Sequence, residues 1–142
     1  GSGNEALVER AARVSRLSGG TVKFDLKAFH PSIGLALCGV DLEPAFRNFE
    51  SLARKFPGGE LLTATTLLVS GYVAEEEVEG IAEFLAGIDS RIPYSLLVFH
   101  PDHLLDDLPV TPRSQVFQCL KAARRRLERV EIGNRALIGP EP

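Results

Sequence analysis

Four short β-rich runs, separated by stretches with helical spacing, constrain this chain more than any other feature. Thr21 to Phe29 alternates, with Val22, Phe24 and Leu26 on one side and Lys23, Asp25 and Lys27 on the other, the period-two pattern of a strand. Leu61 to Val69 is nearly apolar on both sides, as expected of a parallel strand covered by helices. Pro93 to His100 and Arg129 to Ile132 supply the third and fourth runs. The spacing predicts helices around them. One spans Asn4 to Ser18, with Leu7, Ala11, Val14 and Leu17 as its stripe. A second opens at Asp41 and Pro44 and carries Phe46, Phe49, Leu52 and Phe56. A third begins at Glu75-Glu76-Glu77 with the stripe Val78, Ile81, Leu85 and Ile88. The fourth follows Thr111-Pro112, read as an N-cap and N1 pair, with Val116, Leu120, Ala123 and Leu127 inward.

The resulting order, α-β-α-β-α-β-α-β, implies βαβ units, right-handed crossovers and a parallel sheet. Four strands fall short of the roughly eight of a closed (β/α) barrel. The pattern fits a doubly-wound sheet or a piece of a larger barrel. A length of 142 residues corresponds to one domain, given roughly 150 residues per domain. Sixteen Lys+Arg against nineteen Asp+Glu give a net charge of −3, a poor match to a polyanion, so nucleic acid is not the expected partner. No apolar run reaches the roughly 20 residues of a membrane span, and no signal peptide is recognisable at the N-terminus. A cytoplasmic location is the expectation. Residues 1–3, Gly-Ser-Gly, read as the scar of a cleaved tag, residues 4–138 as the folded body, and residues 139–142 as a tail.

Cys38 and Cys119 are far apart and form no CxxC pattern, so they read as small apolar residues rather than a bridge or metal pair. Two thiols cannot build a zinc ribbon or an iron–sulfur site. The acidic triplet at Glu75 complements the positive end of its helix, and Arg124-Arg125-Arg126 suits the negative end of the last one. In α/β sheets and barrels ligands sit at the carboxyl ends of the strands. Those ends offer Asp25 and Lys27, then Thr65 to Ser70, then His100, then Asn134. Asp25 and Lys27 lie two apart on a strand and share a face. They are either a grip on a polar ligand, Lys for a carboxylate and Asp for an amine or hydroxyls, or a salt bridge with no further role. His100 either joins such a site or caps its strand. His100-x-x-His103 lacks a third metal ligand at a recognisable spacing. Lys27 as a Schiff-base lysine is a weaker alternative. No phosphate-binding glycine loop and no GxSxG elbow is present.

Several segments, in this order, resemble one family: Val22 to Phe29 with its Asp-Leu-Lys core, Leu37 to Val40, Thr65 to Val73, Ile92 to Pro101, Asp107 to Thr111 and Val130 to Asn134. Together they resemble the C-terminal half of a radical S-adenosylmethionine enzyme of the pyruvate formate-lyase activating type. The resemblance covers about Gly19 to Asn134. It implies a partial TIM-like (β/α) barrel, of which this chain is the C-terminal piece. It also implies S-adenosylmethionine bound across the strand ends and, in the full-length parent, a [4Fe–4S] cluster on a CxxxCxxC loop. In that family reductive cleavage of the cofactor yields a 5′-deoxyadenosyl radical that takes hydrogen from a glycine of a glycyl-radical enzyme.

Matched residue by residue, the resemblance implies that Asp25, Lys27 and His100 touch the methionyl and ribose parts of the cofactor. Thr65 would line the same cavity, and the role of Asn134 is left open. The CxxxCxxC motif does not occur here, and Ser70 replaces the family's usual proline. The expectation is therefore a fragment with part of the cofactor site, no cluster and no activity alone. It lacks the N-terminal half of the barrel and self-associates through the Thr21–Lys27 edge or through lumen side chains such as Leu67 and Val98. The alternative is a stand-alone, cluster-less binding or scaffold module.

Overall fold

The computed structural model describes residues 3–58, 61–102 and 105–138. Its elements are α1 (Glu5–Ser18), β1 (Val22–Asp25), α2 (Pro31–Cys38), α3 (Glu43–Lys55), β2 (Leu62–Leu68), α4 (Glu75–Ile88), β3 (Tyr94–Val98), α5 (Arg113–Arg124) and β4 (Val130–Ile132), followed by a 3-10 turn at Arg135–Leu137. The four strands pair in parallel in the order β1-β2-β3-β4. A doubly-wound sheet reverses its strand order part-way across; this one does not. The architecture is α/β, a parallel sheet of alternating β-α units with the strand succession of a (β/α) barrel.

One face of that sheet carries the core. Phe24, Leu26, Leu62, Ala64, Leu68, Tyr94, Leu96, Val98, Val130 and Ile132 are all buried against the helices. Phe49 of α3 meets Phe24 edge-on at 5.0 Å and Phe84 of α4 at 6.1 Å, tying two helices to β1. The other face is a different surface. Lys23 and Glu131 are exposed, and Asp25, Lys27, Thr63, Leu67, Ser95 and Leu97 are half-buried. The expectation that β2 is covered on both faces holds in part: on this second face Thr65 is 5% exposed, whereas Thr63 and Leu67 are half-buried. Val98 is no lumen residue. It is 1% exposed on the helix side, and Leu97 stands on the open face in its place.

Helix α1 turns a different side inward from the one its spacing predicts. Val8 and Ala12 are buried, whereas Leu7, Val14 and Leu17 are 59%, 59% and 90% exposed. Two apolar rows lie side by side on this helix, and the row of Val8 and Ala12 is the one that packs into the core. Lys55 of α3 reaches Glu9 at 2.6 Å and Glu5 at 3.5 Å. The hydrogen bonds from Lys55 and Arg13 pull the Glu9 carboxyl down to about 2.

Thr111 is no helix cap; Pro112 occupies that position, in extended backbone. The Thr111 hydroxyl is buried, accepts from the Phe99 amide at 2.7 Å and donates to the Leu68 carbonyl at 2.6 Å. It thereby joins the ends of β2 and β3. Thr111→Val keeps the shape but strands both groups, and is expected to cost about 2–3 kcal/mol. Urea unfolding with an unchanged slope measures this; a loss under about 0.5 kcal/mol shows the two groups finding other partners.

Candidate functional site

Parallel pairing brings all four carboxyl ends to one edge, so sheet register decides which expected residues meet. Asp25 is the Cα partner of Thr65, and Thr65 of Ser95. These side chains therefore share the open face. Leu26 donates its amide to the Thr65 carbonyl at 2.9 Å, which carries the ladder one residue beyond β1. Lys27 follows, with its Nζ 2.6 Å from Asp25 Oδ2.

The pair is half open to solvent, with the side chains 36% and 41% exposed for Lys27 and Asp25. Asp25 Oδ1 nevertheless is buried and lacks a hydrogen-bond partner among the described residues. A carboxylate oxygen in that state is an acceptor held ready for a donor. The Thr65 hydroxyl turns toward the Phe24 carbonyl at 3.4 Å, so Thr65 supports β1 from beside the pair.

His100 lies on the same edge, two residues past β3. Its Nδ1 is 3.6 Å from Asp102 Oδ2 within its own loop. No hydrogen bond or ion pair joins it to Asp25 or Lys27 among the described residues. His103 lies outside them. Among the described residues no group of three or more His, Cys, Asp or Glu is placed to hold a metal ion. Both cysteines are free; Cys38 is half-buried at the end of α2, and Cys119 is buried in α5, where burial pushes its thiol up to about 12.

Asn134 has a definite place. Its Oδ1 accepts from the Val98 amide at 2.7 Å and its Nδ2 donates to the Val98 carbonyl at 2.9 Å. The carboxamide thus acts as one more rung of the β3–β4 ladder after the backbone has turned away.

The residues that sequence reasoning missed are Glu77 and His30. Glu77 is 5% exposed in the first turn of α4. Its Oε2 accepts from the amides of Phe29 at 2.7 Å and His30 at 3.0 Å, and its Oε1 faces His30 Nδ1. The signal was present: Glu77 stands four residues before Ile81 and eight before Leu85, on the buried stripe of α4. The arginine triplet is also more than a solvated end. Arg124 donates to the Val130 carbonyl at 3.1 Å, and Arg125 reaches Glu75 of α4 at 3.0 Å.

Cavities of about 480 Å³, lined by Arg124, Glu128 and Arg129 among others, and about 360 Å³, lined by Arg16, Phe56 and Leu61 among others, lie at the amino edge of the sheet. The carboxyl edge presents Asp25 and Lys27 on an open face instead.

No family model and no curated protein matches the sequence. Among solved structures the chain matches the crystal structure of a domain of pyruvate-formate lyase-activating enzyme from Bacteroides vulgatus ATCC 8482. The TM-score is 0.73, at 23% identity over 92% of this chain and 75% of that one. The chain has the fold of that activating-enzyme domain. The strand order and the one-sided helix layer are consistent with a piece of a (β/α) barrel.

Proposed function

We propose that residues 4–138 are the carboxyl-terminal part of a radical S-adenosylmethionine activating enzyme of the pyruvate formate-lyase type. In this reading the chain supplies one wall of the cofactor site, and the whole enzyme acts on a glycyl-radical partner in the cytoplasm. The observation that carries the reading is the Asp25–Lys27 pair, with its unpartnered carboxylate oxygen, on the open face of a sheet with an activating-enzyme fold. The chemistry fits an amino-acid headgroup. Asp25 Oδ1 would take the ammonium of the methionyl moiety, and Lys27 its carboxylate. Thr65 holds β1 in register beside them, and His100 closes the same edge toward the ribose.

When bound, S-adenosylmethionine supplies a sulfonium whose C–S bond is cleaved reductively. The described residues of this chain do not fit an iron–sulfur cluster, since Cys38 and Cys119 sit on different helices and cannot provide three thiolates. That group belongs to the preceding part of the enzyme, which in this proposal joins along the outer edge of β1. Exposed backbone there is also where isolated chains would self-associate. Lys27 is ion-paired and half open to solvent, the setting of a binding group rather than of a desolvated Schiff-base nucleophile.

Calorimetry with S-adenosylmethionine tests the reading. One wall of a site is expected to give millimolar affinity, about −4 kcal/mol, with binding lost in Lys27→Ala and in Asp25→Ala. Micromolar binding would favour a self-sufficient module. Binding that survives both substitutions would remove the assignment.

A further inference from the structure

We infer that Glu77 is a positioning residue for the Asp25–Lys27 end of β1, gripping the strand's exit through His30 so that the pair's geometry follows the protonation of that histidine. The inference rests on the reading of Asp25 and Lys27 as cofactor-binding residues and extends it to a buried group on another helix.

Lys27 lies between two fixed positions. On one side Leu26 is held to Thr65 by the last rung of the ladder. On the other, the Phe29 and His30 amides are held by one oxygen of Glu77. Ala28, between them, is fully buried. The Phe29 ring lies against Gly80, one turn further along α4, where an added Cβ would stand 2.4 Å from the ring. Four residues carry the chain from the ladder to α4, so a shift of the Phe29–His30 turn reaches Lys27 directly.

His30 completes the grip. It is the N-cap of α2 and makes no side-chain cap bond of its own. Glu77 therefore lies at the start of two helices, where partial positive charge favours a carboxylate. The charged groups acting on His30 are Glu77 and Glu76, both from α4; its ring also meets the Phe29 ring edge-on at 5.5 Å, and the side chain is 47% exposed. The hydrogen bond to Glu77, then its charge, raise the histidine above its ordinary value of 6.5. A protonated ring gives Glu77 a charge-assisted donor. A neutral ring gives a weaker donor or, in the other tautomer, a lone pair facing the carboxylate. The full grip is present below pH 6.5 and fades as pH rises through the raised value.

The test is an NMR titration of the chain from about pH 5 to 9, across the histidine range. The His30 ring and the amides of Phe29, His30 and Lys27 are expected to move with one midpoint above 6.5. In Glu77→Gln the His30 midpoint should return to the ordinary value, and Lys27 should stop following it. In His30→Gln, which leaves the buried carboxylate in place, the Lys27 amide should be flat. A flat Lys27 amide in the wild type while His30 titrates overturns the inference, as does an unchanged His30 midpoint in Glu77→Gln. Titration with S-adenosylmethionine at both ends of the range separates this from the cofactor reading. Affinity several-fold weaker above the midpoint in the wild type, beyond the change seen in His30→Gln where only the ligand's own α-amino group titrates, supports both. The expected shifts with no binding at either pH support the grip and remove the cofactor reading. Equal binding at both ends overturns the positioning role.

Discussion

Phe49→Ala is expected to lower the stability of this domain by about 4 kcal/mol, within the usual range for removing a buried aromatic ring. Phe49 is fully buried, and its ring sits edge-on to Phe24 of β1 and Phe84 of α4. Two costs combine. The ring's apolar surface is no longer withdrawn from water. The space left lies between elements held by the sheet and by neighbouring helices, so it closes incompletely. The rest of the aromatic cluster, where Phe46 meets Phe84 at 4.9 Å, also loses the wall it packs on. Chemical denaturation gives the number directly. A loss below about 1.5 kcal/mol would mean that α3 moves in to fill the space, against the packing described.

The second large effect concerns Glu77. Glu77→Ala removes a charged acceptor from two backbone amides at once. Bonds of that kind contribute about 1.5–3 kcal/mol each, and partial access of water offsets part of the loss, so about 3 kcal/mol is expected. Glu77→Gln retains a neutral acceptor and should cost about half as much. The damage should also be local. Hydrogen exchange is expected to accelerate across Phe29 to Cys38 well before it does in β2 or β3. Uniform loss of protection, or a Glu77→Ala protein as stable as the wild type, would show that Glu77 merely complements its own helix.

That residue also shows where sequence patterning stops being informative. Among three consecutive glutamates at a helix start, charge alone assigns all three to the dipole. Only the four-residue offset from Ile81 marks Glu77 as inward, and its partners lie 47 and 48 positions away. The strands were legible because alternation at Phe24 and Leu26, and the apolar run to Leu68, report a pleated surface directly. The pairing of Asp25 with Lys27 was legible for the same reason, since two residues apart on a strand means one face.

Helix α2 was not legible as a helix. Its eight residues are apolar nearly all round and show no stripe, although Pro31 at its start and Gly39 at φ 66° after its end are both ordinary boundary signals. In α1 the opposite problem arose. Two adjacent rows satisfy helical spacing, and only the packing of α1 against α3 and β1 distinguishes the one that turns inward. Thr111 reads as a cap from sequence because threonine before proline usually is one; its real partners belong to two strand ends.

The central claim is that ligands meet this chain at the carboxyl edge, on the face the helices leave open. Amide chemical-shift mapping with S-adenosylmethionine tests it most directly, because the amino edge carries the roomier cavities and offers a clear alternative. Saturable shifts are expected at Asp25, Lys27, Thr65 and His100, with Arg16, Leu61, Arg124 and Arg129 unmoved. Shifts confined to Arg124 through Glu131, or to Arg16 through Thr21, would contradict it.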